Sequence, residues 1–220
     1  MYYPPVRQTD ATVSGNRMTV FGTGKVSVEP NLAVLQLGVV TQTQALSSAQ
    51  QENARLIDQV IRSLTGLGVS QQQIQTIDYT IVPRYNYVDG EQQFIGYQVT
   101  HMLSVTVENI NQIGTVIDTA VKNGANRVIS ISLTVKDRTA HYQKALQLAI
   151  ENAFTKANTI TNSVGQQLHP TPIKIQELPT ESQATPYHTF ASTEVGGVST
   201  PIEPGTLDIE ANVEMKFTYG

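Results

Sequence analysis

Hydrophobic positions along the chain repeat with two periods, and the places where the period changes divide it into elements. From Met18 to Glu29 the residues alternate, with Met18, Val20, Val26 and Val28 on one side and Thr19, Thr23, Lys25, Ser27 and Glu29 on the other. A period of two predicts a strand, interrupted by Gly22 and Gly24. Pro30 breaks it, and Leu32 to Thr41 continues as a more uniformly apolar strand, so the two read as a hairpin. The period then becomes helical: Leu46, Ala49, Asn53, Leu56, Ile57, Val60, Ile61 and Leu64 share one face, with Gly66 and Gly68 closing the helix. Two long alternating runs, Ile74 to Val88 and Phe94 to Glu108, flank Asp89-Gly90, a pair suited to the positive φ values of a tight hairpin turn. A short helix from Ile110 to Val121, capped at Asn123-Gly124, and a strand from Val128 to Lys136 follow.

The strongest helical signal runs from Asp137 to Gly165. Tyr142, Leu146, Ile150, Phe154, Ile160 and Val164 lie on its apolar half, together with Ala145, Ala149, Ala153 and Ala157 in line at i+4. A row of alanines lets a neighbouring element approach the helix backbone closely. Pro172 to Leu178 reads as a short strand and Pro179 to Pro204 as a long loop rich in Thr, Ser, Pro and Gly. Strict alternation from Leu207 to Tyr219 predicts a last strand with one wet face. The order ββ-α-ββ-α-β-α-β-loop-β predicts an α+β fold: a largely antiparallel sheet with about three helices packed on one face and a long protruding β-hairpin. Residues 1–17 are expected to form a flexible tail and 18–220 a single domain, with the hairpin at 74–108 and the loop at 179–204.

The arms of the long hairpin, at about 15 residues each, span roughly 50 Å and exceed the usual strand length of about 5 to 6 residues. Its tip collects Pro83, Tyr85, Tyr87, Phe94 and Tyr97. An isolated two-stranded ribbon is marginal in water, so these five residues are the expected surface for self-association, and the predicted partner is a second copy of the chain.

Composition narrows the chemistry. Only 15% of the 220 residues are charged, 14 basic against 18 acidic, for a net charge of −4. No basic cluster forms a phosphate-neutralising surface, so nucleic acid is not an expected partner, whereas a protein partner remains compatible. The absence of cysteine removes disulfides, thiolate nucleophiles and cysteine-ligated zinc. No run of about 18 apolar residues predicts a membrane span, and the N-terminal residues lack the sections of a secretory signal, which predicts a cytoplasmic chain.

Four places invite a chemical reading. Gly22-Thr23-Gly24-Lys25 lacks the glycine spacing and the following helix of a phosphate loop, so the glycines point to a bulge or a close backbone approach. His101, His141, His169 and His188 are scattered; His101 shares an apolar strand face with Val99, Leu103 and Val105 and reads as a core or interface histidine rather than a metal ligand. Asp208, Glu210 and Glu214 share one face of the last strand, which could hold a cation weakly but reads as a solvated face beside Lys216. Tyr2, Tyr3, Pro4 and Pro5 read as a frayed terminus rather than a recognition tail. No catalytic, cofactor or metal residue is therefore nominated, and no cofactor is expected.

Several landmarks together resemble the SIMPL domain family, a family of unknown function that includes periplasmic immunogenic and oxidative-stress-related bacterial proteins. They are Gly22-Thr23-Gly24 with Val26, Val28 and Pro30; Leu64, Leu67, Gly68 and Val69; Ile74 and Thr76; Pro83, Tyr85 and Gly96-Tyr97; Gly124-Ala125-Asn126 with Val128; Ala145-Leu146, Ala149, Ala153 and Lys156-Ala157; and Pro204-Gly205. The resemblance implies an α+β protein that assembles into large ring- or channel-like homo-oligomers, with links to stress tolerance and no accepted reaction. Asn31 departs from it, since the family commonly has Asp after the proline. The leading expectation is thus a non-enzymatic oligomer; a binding module for a surface polymer or partner protein, and a hydrolase of unknown type, are the alternatives.

Overall fold

The computed structural model describes residues 15–179 and 200–220, so the tyrosine–proline pairs at positions 2–5, His188 and most of the predicted late loop lie outside the described residues. Among the described residues seven strands and three α-helices follow in the expected order: β1 (Asn16–Val28), β2 (Leu32–Thr43), α1 (Leu46–Gly66), β3 (Ile74–Val88), β4 (Glu91–Val107), α2 (Ile113–Lys122), β5 (Arg127–Thr134), α3 (Arg138–Ser163), β6 (Lys174–Leu178) and β7 (Leu207–Tyr219). The α+β class and the antiparallel pairing hold. The strands, however, divide between two sheets, β1-β7-β6 and β3-β4-β2-β5, instead of forming one. The expected hairpin of β1 and β2 does not form, because the two strands belong to different sheets on either side of Pro30. Nor do the three helices share one face: α1 and α2 pack in one compact unit with the four-stranded sheet, and α3 in the other with the three-stranded sheet.

In the four-stranded unit, β2 is central between β4 and β5. Its inward residues Ala33, Leu35, Leu37 and Val39 are wholly buried against Leu103, Val105, Ile131 and the helix residues Ile57, Val60, Leu64, Ile113 and Val116. Burying each such side chain contributes about 1.5–3 kcal/mol. One member of this seam is polar. Asn53, 1% exposed, donates from Nδ2 to the carbonyls of Val39 (3.1 Å) and Val99 (3.2 Å), so α1 is clipped to both central strands. At the sheet's other side Asn126 continues β5 with its side chain: its amide accepts from Val40 N–H (2.8 Å) and donates to Val40 C=O (2.7 Å), as a strand residue's backbone does. Asn31, the departure noted above, accepts the Lys136 N–H through Oδ1 at 2.8 Å. A carboxylate there accepts the same bond, so the change keeps the joint between β2 and the end of β5.

All three helices stop the same way. Gly68, Gly124 and Gly165 take positive φ (93°, 113° and 68°), and the following N–H returns to a carbonyl five residues back, Val69 to Leu64, Ala125 to Ala120 and Gln166 to Thr161. A residue with a Cβ is strained in that conformation, which is why glycine ends each helix.

In the three-stranded unit, β7 is central, and β1 runs antiparallel to it, with Gly15 beside Thr218 and Ser27 beside Asp208. Ile209, Ala211, Val213, Met215 and Phe217 are buried, and Phe217 meets Phe154 of α3 edge-on at 5.1 Å. The buried face of α3 is narrower than its apolar half: Ala145, Ala149, Ala153, Ala157 and Thr161 are buried, whereas Ile160 and Val164, expected inside, are 46% and 59% exposed. The reason is the close seat. Gly22 and Gly24 of β1 lie so near the alanine row that a Cβ at either would stand 2.0 Å from a helix carbonyl, Ala149 or Ala145. Only the line of smallest side chains fits under such an approach; larger ones are turned to its flanks. The glycines thus serve a close backbone approach, and no phosphate loop forms, because β1 continues as a strand.

Candidate functional site

The residues nominated from the sequence lie on the β3–β4 hairpin, and the structure brings most of them together. Asp89 (φ 51°) and Gly90 (φ 85°) make the turn with both central residues left-handed, which matches the twist of the flanking strands. Tyr85 meets Phe94 edge-on with centroids 5.6 Å apart, and Phe94 meets Tyr97 at 5.2 Å. Pro83 stands opposite Tyr97 in the register and Tyr87 opposite Gln92. A bulge at Ile95 separates the Arg84–Gly96 and Tyr85–Phe94 pairs, which carries Phe94 onto the face of Tyr97. All residues from Pro83 to Ile95 are exposed; Tyr87 is 69% and Phe94 44% exposed. These rings form a ridge in contact with water, which costs free energy unless something covers it.

The exposure extends past the tip. Among the described residues β3 is an edge strand, paired with β4 alone, and none of its fifteen residues is buried. Ile77 and Tyr79, at 47% and 50% exposure, therefore add to the exposed surface, and the sequence reading, which took only the tip residues, did not single them out. Pro83 fits this position, since a proline cannot donate to a ladder and is tolerated on an edge.

His101 sits on β4 beside that edge. Its Nε2 lies 2.9 Å from Thr76 Oγ1, and Tyr79 meets its ring edge-on at 5.2 Å. Burial holds its pKa below the ordinary histidine value, against a smaller upward pull from Asp78. A depressed folded pKa means the fold favours the neutral ring. The contribution is full above the unfolded value of about 6.5 and is lost as pH falls toward the lower folded value. Replacing His101 with Gln is expected to flatten the acid side of the melting profile in that window; a wild-type slope in the variant overturns the assignment. His141, in the first turn of α3, and His169, before β6, lie on other elements, so the described histidines do not converge.

The acidic row of β7 is met by cations from its neighbours. Asp208 lies 2.6 Å from Lys25 Nζ and accepts the Ser27 hydroxyl at 2.6 Å, which together hold its carboxyl below the ordinary carboxylate range. Glu214 stands 3.6 Å from both Lys174 and Lys216. Among the described residues no group of three acidic or histidine side chains is arranged to hold a metal ion.

The structure also shows an open apolar groove of about 440 Å³ between β1 and α3, lined by Thr19, Phe21, Thr155, Lys156 and Ile160. Lys156 donates to the Phe21 carbonyl at 2.7 Å, and one turn earlier Asn152 accepts the Thr23 N–H at 3.2 Å. Both bonds fall on the free edge of β1. They cover backbone groups that an added strand would need.

The fold and this surface define an α+β protein whose prominent exposed feature is an aromatic edge hairpin. It belongs to the SIMPL family, proteins of unknown function (DUF541), whose family model matches residues 18–217. It is 26% identical over 163 residues to the uncharacterized protein YggE of Escherichia coli K12, covering 74% of this chain and 66% of that one. It is 27% identical over 164 residues to the 26 kDa periplasmic immunogenic protein of Brucella melitensis, covering 72% and 66%. The YggE protein of Edwardsiella ictaluri is 24% identical over 207 residues, covering 92% and 87%. The chain thus spans just under two thirds of the Escherichia and Brucella relatives. Among the described residues no helix is long and apolar enough to cross a membrane.

Proposed function

We propose that this protein is a non-enzymatic scaffold that works as a homo-oligomer, with the β3–β4 hairpin as its assembly surface. One observation carries the reading: β3 has no buried residue in fifteen, and the adjoining tip exposes Tyr85, Tyr87 and Phe94 together. An edge of that length, with a ridge of rings beside it, is what proteins keep short or covered unless it is used. Pro83 and Tyr97 complete the surface, lying opposite each other at its inner end. The order of the elements gives a way to test it, because the Asp89-Gly90 turn lies far from the core contacts of β2, α1 and α2. Replacing residues 84–94 with a two-residue turn is expected to leave the melting transition intact and to lower the mass in solution. Multi-angle light scattering reads the result; an unchanged mass overturns the role of the hairpin.

A further inference from the structure

The groove between β1 and α3 lies wholly within the three-stranded unit and is polar at one end and apolar at the other. β1 runs against α3: Gly22 seats on Ala149 and Ala153, and Gly24 on Ala145 and Ala149, so the path from Phe21 back to Thr19 follows the helix from Lys156 to Ile160. Lys156, Ile160 and Val164 stand in line at i+4 along about 12 Å of the helix. The first is charged; the other two are apolar and 46% and 59% exposed, with Phe21 of β1 at 55%. Lys156 is the one charged residue in the groove's lining, and among the described residues it pairs with no carboxylate, its ammonium donating to the Phe21 carbonyl alone.

We propose that this groove binds a free medium-chain fatty acid, with the carboxylate on Lys156 Nζ and the acyl chain lying along Ile160 toward Val164. The site is separate from the hairpin and does not depend on the assembly. A cation without a counter-ion at one end of an apolar trough matches an anion that carries an apolar tail, since the charge fixes the orientation and the walls take the chain. An ammonium has three protons, so Lys156 can keep its bond to the Phe21 carbonyl and still donate to the carboxylate. The volume, about 440 Å³, falls within the range of small-molecule sites, roughly 300–1,000 Å³. A peptide strand is the wrong occupant, because Lys156 and Asn152 already hold the Phe21 C=O and Thr23 N–H that its backbone would pair with.

The test is a titration of the full chain with decanoate, below the concentration at which it forms micelles, read by the NMR shifts of the Ile160 and Val164 methyl groups. Decanoate is expected to move both saturably, hexanoate to bind about tenfold more weakly because less of the trough is covered, and decanol about tenfold more weakly because it lacks the charge. Lys156→Met is expected to melt as the wild type does and to bind decanoate no better than decanol. Lys156→Glu is expected to reverse the preference, taking decylammonium over decanoate. Methyl groups that do not move with decanoate, decanol binding as tightly as decanoate, or a Lys156→Glu variant that still prefers the anion each overturn the proposal. So does a groove closed to decanoate in the wild type whose Ile160→Asp variant loses mass in light scattering, since a second copy then covers it.

Discussion

Gly24→Ala is expected to destabilise the protein by about 3–5 kcal/mol, at the top of the range for a single added methyl group. The new Cβ would stand 2.0 Å from the Ala145 carbonyl oxygen and 2.4 Å from the Ala149 nitrogen. Both obstacles are backbone atoms. No side-chain rotation relieves the clash, and trimming Ala145 to glycine does not either, because the obstructing oxygen remains. The strand and helix must separate by more than an ångström, and the packing of the whole alanine row weakens with them. Gly22 is held in the same way against Ala149 and Ala153. Gly66 supplies the internal control: nothing lies within 4 Å of a Cβ there, so Gly66→Ala is expected to be neutral or stabilising by up to about 1 kcal/mol. Urea denaturation of the two variants decides. A Gly24→Ala loss below about 1 kcal/mol would mean that β1 and α3 are not seated as described.

Asn53→Asp is expected to be the most damaging isosteric change, costing about 3–5 kcal/mol at neutral pH. The wild-type amide points its two protons at the Val39 and Val99 carbonyls inside the seam between α1 and the sheet. A carboxylate in its place sets negative oxygen against two carbonyl oxygens with no solvent to screen them. The same burial raises the folded-state pKa of the new acid above the unfolded value of about 3.9. The penalty is therefore small below that value, where the acid is protonated in both states and can donate one of the two bonds. It grows as pH rises toward the folded pKa and is constant above it. Stability of the variant relative to wild type, measured at pH 3.5 and pH 7, is expected to diverge; a difference independent of pH overturns the assignment of Nδ2 as the buried donor.

These two residues also show how far a pattern of residues reaches. The period of the hydrophobic positions defines the elements, because burial of one face forces it: β7 begins and ends where alternation predicts, and three glycines mark three helix ends through a positive φ that is a local property. The alanine row at i+4 and the two glycines of β1 are each visible as small residues wanting a close neighbour. The hairpin turn at Asp89-Gly90 is legible for the same reason, as are the rings gathered at the tip.

Other features depend on contacts between residues far apart in the chain. Whether β1 pairs with β2 or with β7 is decided by where α3 can seat, and the seat requires Gly22 and Gly24 to meet Ala145, Ala149 and Ala153, more than a hundred positions away. That choice also divides the strands into two sheets and turns Ile160 and Val164 outward. Asn53 falls on an apolar helix face by period alone; that it bridges Val39 and Val99 depends on β2 and β4 being adjacent. The candidate surface divides along the same line. Pro83, Tyr85, Tyr87, Phe94 and Tyr97 were identifiable as an aromatic cluster from their types, while the exposure of all of β3 follows from its place at the edge of the sheet, which is set by which strands pair and not by any property of its own fifteen residues.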